Sequence, residues 1–158
     1  MAKRSSINAR AKKAEREVQQ YLWPGSRFAG NAHRPALEDE DLRGPGLDCS
    51  YWWGECKSYT QDTLKARGGP WQVLANALDQ CVEAVGRAAL DGTLNGILPP
   101  RAFAVLRVPN TSIESPQNLV IVDALDWPGW PDVDDTLCLI PLSVFKAGFI
   151  GEQREEVA

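Results

Sequence analysis

Along the first part of the chain, apolar residues recur at steps of three and four: Ile7, Ala11, Ala14, Val18, then Tyr21 and Leu22. That spacing lines one face of an α-helix. It predicts a helix over residues 5–23, opened by Ser5 or Ser6 and stopped at Pro24-Gly25. Residues 25–46 are crowded with Gly, Pro and charge, including the run Glu38-Asp39-Glu40-Asp41 and Gly44-Pro45-Gly46. They read as a long loop, with a short strand near 26–29. Two extended segments, 47–51 and 52–59, follow closely enough to form a hairpin. Behind Gly68-Gly69-Pro70 a second helix is predicted over 71–90, with an apolar stripe of Leu74, Leu78, Cys81, Val82, Val85 and Ala89. Residues 101–108 form an apolar run of the kind buried on both sheet faces. Strands at 118–122 and 137–142 and a short helix at 143–149 complete the order αββαβββ. This is an α/β fold in one domain, a mixed central sheet flanked by helices.

Composition adds limits. At 158 residues with 44% hydrophobic content, one core can form without a structural metal or disulfide framework, so any metal would serve chemistry. Residues 1–8 and 152–158 are expected to be flexible tails. The four cysteines, Cys49, Cys56, Cys81 and Cys138, form no CxxC or Cys/His cluster and read as reduced thiols. No apolar run approaches the roughly 20 residues of a membrane span. The basic start Met-Ala-Lys-Arg-Ser-Ser leads into no apolar signal core. A cytoplasmic protein with no membrane partner is expected.

The net charge of −4 argues against a polyanionic partner until it is divided along the chain. Residues 1–34 carry eight Lys or Arg and two Glu, a net of +6; residues 35–67 carry −3 and residues 68–158 carry −7. A chain so divided can present one basic face to a nucleic acid while the rest stays acidic. Lys3, Arg4, Arg10, Lys12, Lys13, Arg27, His33 and Arg34 are the candidate DNA contacts. Such contacts position phosphates without reading sequence.

The most informative stretch is Asp48-Cys-Ser-Tyr-Trp-Trp-Gly-Glu55-Cys56-Lys57-Ser-Tyr59. In a strand, Trp53, Glu55, Lys57 and Tyr59 share one face and Cys56 and Ser58 the other. If the chain reverses at Tyr51-Trp52, Asp48 lies across from Glu55. Two facing carboxylates repel, and a hard divalent cation such as Mg²⁺ relieves that repulsion while keeping several waters. Lys57 beside such a cation can orient the attacking water or stabilise a pentacovalent phosphate. The plainer reading is a solvated Glu55–Lys57 ion pair with Asp48 closing a turn.

This arrangement resembles the PD-(D/E)XK nuclease superfamily, and within it the Hjc-type Holliday junction resolvases. Three features carry the resemblance: the basic helix Ala11-Lys-Lys-Ala-Glu15-Arg-Glu-Val18, Asp48 followed by Glu55-Cys56-Lys57, and the order of elements. It spans about residues 8–108. It departs from the pattern at Leu47, where Pro is usual, and in the six residues between Asp48 and Glu55, a short interval that leaves Asp41 as a weaker alternative. Periodicity places Glu15 and Glu17 on opposite shoulders of the first helix and does not choose between them; the resemblance favours Glu15.

The resemblance implies a restriction endonuclease-like sheet. It further implies Mg²⁺ (with Mn²⁺ substituting) held by Glu15, Asp48 and Glu55, with Lys57 assisting the water and Arg27 contacting the scissile region. The implied reaction is resolution of four-way DNA junctions on two symmetric strands, leaving 5′-phosphate and 3′-hydroxyl ends. A two-fold junction suits a C2 homodimer, whose interface would use the strands and Trp residues of the last third. Gln72 and Gln80 are candidates for a supporting shell around the metal, or simply a solvated helix face. A phage origin, and hence an infected host cell, is compatible with so compact a resolvase. The runner-up readings are a related nuclease acting on duplex or ended DNA, and a DNA-binding accessory protein without catalysis.

Overall fold

In a computed structural model of the chain, residues 2–25, 42–46, 51–90, 100–123 and 137–151 are described, without side-chain detail for 2–8. The chain is α/β. A five-stranded sheet in the order β1-β2-β3-β4-β5 is built from β1 (Leu42–Pro45), β2 (Tyr51–Ser58), β3 (Arg101–Arg107), β4 (Leu119–Asp123) and β5 (Leu137–Pro141). β2 and β3 are parallel and the other neighbours antiparallel, so the sheet is mixed, as expected.

Helix α1 (Ala2–Leu22) covers one face. Its Ala14, Val18 and Leu22, with Trp23 beyond its end, pack on Trp52, Cys56, Phe103, Val105, Val120 and Val122. The last helical segment, α4 (Leu142–Phe145) continued by a wider π-helical turn over Lys146–Ile150, closes the same core. Helix α3 (Pro70–Leu90) covers the other face, where Leu74, Ala77 and Leu78 meet Ala104, Leu106 and Ile121. The alternation along β3, Phe103 and Val105 to one side and Ala104 and Leu106 to the other, is the two-residue strand period with both faces covered.

Three expectations need correction. α1 starts at Ala2 rather than Ser5, so residues 2–8 belong to a helix. The stripe of α3 is rotated: Val82 and Ala89 are exposed, while Val73, Ala77, Ala84 and Ala88 are buried. Small alanines let the helix approach the sheet, a packing advantage that hydrophobicity ranking overlooks. A short helix, α2 (Gln61–Ala66), follows β2; its cap is Thr60, whose hydroxyl accepts a hydrogen bond from the Thr63 N–H at 3.3 Å.

The largest correction concerns the hairpin. Tyr51 and Trp52 lie inside β2, and Leu42 pairs with Gly54 and Pro45 with Tyr51. The chain therefore does not reverse at Tyr51-Trp52, and the strand beside β2 is Leu42–Pro45, whose composition reads as loop. The deduction that set Asp48 across from Glu55 loses its premise. Asp48 itself, like Asp41, lies outside the described residues, as do the proposed strand at 26–29 and the tail at 152–158.

β1 forms in a Gly-Pro context because tertiary contacts support it. Gln19, fully buried, donates to the Arg43 carbonyl at 2.8 Å and accepts from the Arg43 N–H at 3.1 Å. It thereby supplies to an edge strand the partner that a sixth strand would have supplied. The Trp23 indole N–H donates to the Pro45 carbonyl at 2.8 Å, and the ring lies so close to Gly44 that a Cβ there would overlap it.

Candidate active site

β2 and β3 run parallel, so Lys57-Ser58 and Arg107 end on the same side of the sheet. The carboxyl ends of parallel strands are where open α/β sheets receive ligands. There the amino-terminal half of α1, the end of β2 and α2 enclose a cleft of about 460 Å³, lined by Arg10, Glu15, Glu55, Lys57, Thr60 and Arg67 among others. Glu55 is 9% exposed; Glu15 and Lys57 are half-buried. Residues some 40 positions apart in sequence, Glu15 and Glu55, thus line one cleft with Lys57.

Periodicity had left Glu15 and Glu17 equivalent. They are not. The Glu17 carboxylate accepts a hydrogen bond from the Arg107 guanidinium at 2.8 Å, whereas Glu15 lines the cleft with Glu55. Arg107, 6% exposed, also donates to the Thr111 carbonyl at 2.9 Å and the Thr111 hydroxyl at 2.8 Å. Asn118, fully buried, accepts from the Val108 N–H and donates to the Ser112 carbonyl, each at 2.8 Å. This network fixes the turn after β3 against α1, and so the rotation of α1 that turns Glu15 to the cleft.

A second cleft of about 300 Å³ adjoins the first through Lys57, Tyr59 and Arg67 and reaches Gln80 and Asn76 of α3. Gln80 lines this cleft together with Lys57. Gln72 is not among its lining residues; its amide donates to Asn76 at 3.0 Å. Lys57 forms no ion pair with a described residue, which removes the solvated Glu55–Lys57 pair as an account of these two residues.

Of the basic candidates, Arg10 lines the carboxylate cleft and Lys13 a neighbouring one, while Lys12 is exposed and lines neither. Arg27, His33, Arg34 and Asp48 lie outside the described residues, and so do the side chains of Lys3 and Arg4. Arg67 was missed. It follows α2, stacks over the Tyr59 ring at 4.6 Å and borders both clefts. No periodic pattern points to it; its position next to Gly68-Gly69, both at positive φ, was the available signal.

No family model, characterised protein or solved structure matches this chain. Among the described residues no set of three or more His, Cys, Asp or Glu side chains clusters as a metal centre, and Cys56, Cys81 and Cys138 are free thiols. No helix among them is long and apolar enough to cross a membrane.

Proposed function

We propose that the chain is a metal-dependent endodeoxyribonuclease, acting as a homodimer that cuts four-way DNA junctions on two symmetric strands. The observation that carries the hydrolytic part is the convergence of Glu15, Glu55 and Lys57 on one cleft walled by Arg10 and Arg67. Two carboxylates beside an ammonium that pairs with no described acid, at the carboxyl end of a parallel strand pair, suit phosphodiester hydrolysis.

The donor chemistry fits Mg²⁺. Glu15 and Glu55 offer hard oxygen ligands, and Mg²⁺ is commonly held by one or two carboxylates together with waters and substrate phosphate; Asp48 is the proposed third ligand. When bound, the cation supplies Lewis-acid polarisation of the phosphoryl oxygen and a more acidic water. The chain's own residues do the rest. Lys57 donates to a non-bridging oxygen, where negative charge grows in the transition state. Arg10 and Arg67 hold the diester, and Gln80, which lines the adjoining cleft with Lys57, borders the site from α3.

The junction substrate is supported by the resemblance of the basic helix, of Asp48 with Glu55-Cys56-Lys57, and of the element order. The test is cleavage with Mg²⁺ of a synthetic four-way junction against a linear duplex of the same arms. Paired, symmetric cuts in the junction are expected. Equal cutting of the duplex would reduce the proposal to a general nuclease, and binding with no cutting under any divalent metal would refute it.

A further inference from the structure

A third cleft, about 520 Å³, shares Arg10 with the carboxylate cleft and is lined by Arg10, Lys13, Ser58, Thr60, Asn110 and Arg107 among others. We propose that it is a phosphate-binding subsite separate from the hydrolytic one, taking the phosphate group next to the scissile phosphate. The claim rests on the nucleic-acid reading for the source of that phosphate, though not for the site's affinity for one.

Its charge balance carries the argument. The acid bordering it, Glu17, is engaged at 2.8 Å by the buried Arg107. Arg10 and Lys13 form no ion pair with a described residue, so two positive charges face the cavity uncompensated. The Ser58 and Thr60 side chains add hydroxyl donors, and buried Arg107 forms the floor, its Nε without a hydrogen-bond partner. Cations and hydroxyls converging on one concavity match a tetrahedral anion that offers several acceptor oxygens.

Position supplies the second argument. Arg10, Ser58 and Thr60 are shared with the carboxylate cleft, so the two clefts are contiguous. A free anion gains nothing from that continuity; a strand whose phosphates follow one another occupies both.

Lys65 of α2 supplies the control: like Lys13 it is exposed, yet only Lys13 lines this cleft. Binding of a short labelled DNA strand is measured by anisotropy in EDTA, which removes hydrolysis, for the wild type, Lys13→Glu and Lys65→Glu. Inorganic phosphate is titrated in parallel, its binding read by NMR shifts of the Lys side chains. Lys13→Glu is expected to weaken strand binding by about tenfold and to lower the salt slope by about one, with Lys65→Glu changing affinity less than about twofold. Saturable, Lys13-dependent binding of inorganic phosphate without strand binding would keep the site and assign it to a free anion, overturning the nuclease reading instead. Lys13-dependent strand binding with no cleavage in Mg²⁺ would keep the subsite for a strand phosphate and overturn the nuclease reading. Equal weakening by both variants, or by neither, overturns the subsite, even if the wild type cleaves DNA.

Discussion

The two ends of β2 are built for different purposes. At its amino end Trp52, 1% exposed, stands edge-on to Phe145 and Phe149 at 5.5 Å from each ring. Phe103 stacks on Phe145 at 4.8 Å. Here the sheet is dry and close-packed, to the point that Gly54 has no room for a Cβ against Phe103. Three residues along the same strand, Glu55, Lys57 and Ser58 open onto clefts lined by Arg10, Arg67 and hydroxyls. The aromatic end holds the sheet and α1 in register, and the polar end uses that register to bring together charges that would otherwise repel or stay hydrated. Stability and chemistry should therefore separate along one strand.

The largest expected effect is at the aromatic end. Trp52→Ala should lower unfolding stability by about 3–5 kcal/mol, read from urea transitions, because it empties the centre of the ring cluster. A loss comparable to that of an exposed residue would break the contrast between the ends.

A smaller effect tests the division within α1. Glu17→Gln removes the carboxylate partner of a buried guanidinium that keeps its other hydrogen bonds, and should cost about 1 kcal/mol of stability. Glu15→Gln should leave stability within about 0.5 kcal/mol while reducing DNA cleavage at least about tenfold. Exchange of these two outcomes would mean that the wrong acid has been assigned to the cleft.

The smallest effect is at alkaline pH. Burial, and secondarily the Glu114 carboxylate, raise the Tyr21 phenol above its ordinary 10.0. The folded chain then keeps a proton that the unfolded chain releases. The stability this contributes is complete below about pH 10 and declines as pH rises through the folded-state value. Tyr21→Phe should flatten that decline in thermal unfolding followed from pH 9 to 11; an unchanged slope would remove Tyr21 as its cause.

Much of the frame was legible in the residues. The steps of α1 and the apolar run of β3 report burial directly, and strand periodicity put Glu55 and Lys57 on one side of β2. What escaped reading depends on contacts distant in sequence. Leu42–Pro45 has turn composition, yet it is a strand because Gln19 bonds its backbone and Trp23 fills the space above Gly44. Tyr51-Trp52 carries no turn residue, and a reversal there conflicted with the β propensity of both residues. Glu15 and Glu17 differ only through Arg107, 90 residues from Glu17, and no local pattern holds that information.

The central claim is that the Glu15–Glu55–Lys57 cleft hydrolyses DNA with a divalent cation. The direct measurement is single-turnover cleavage of a four-way junction in Mg²⁺ by the wild type and Lys57→Ala, with the melting temperature of each recorded. A fall of at least about 100-fold, the scale of losing one transition-state donor, at unchanged melting temperature is predicted. Cleavage by Lys57→Ala at the wild-type rate would contradict the claim.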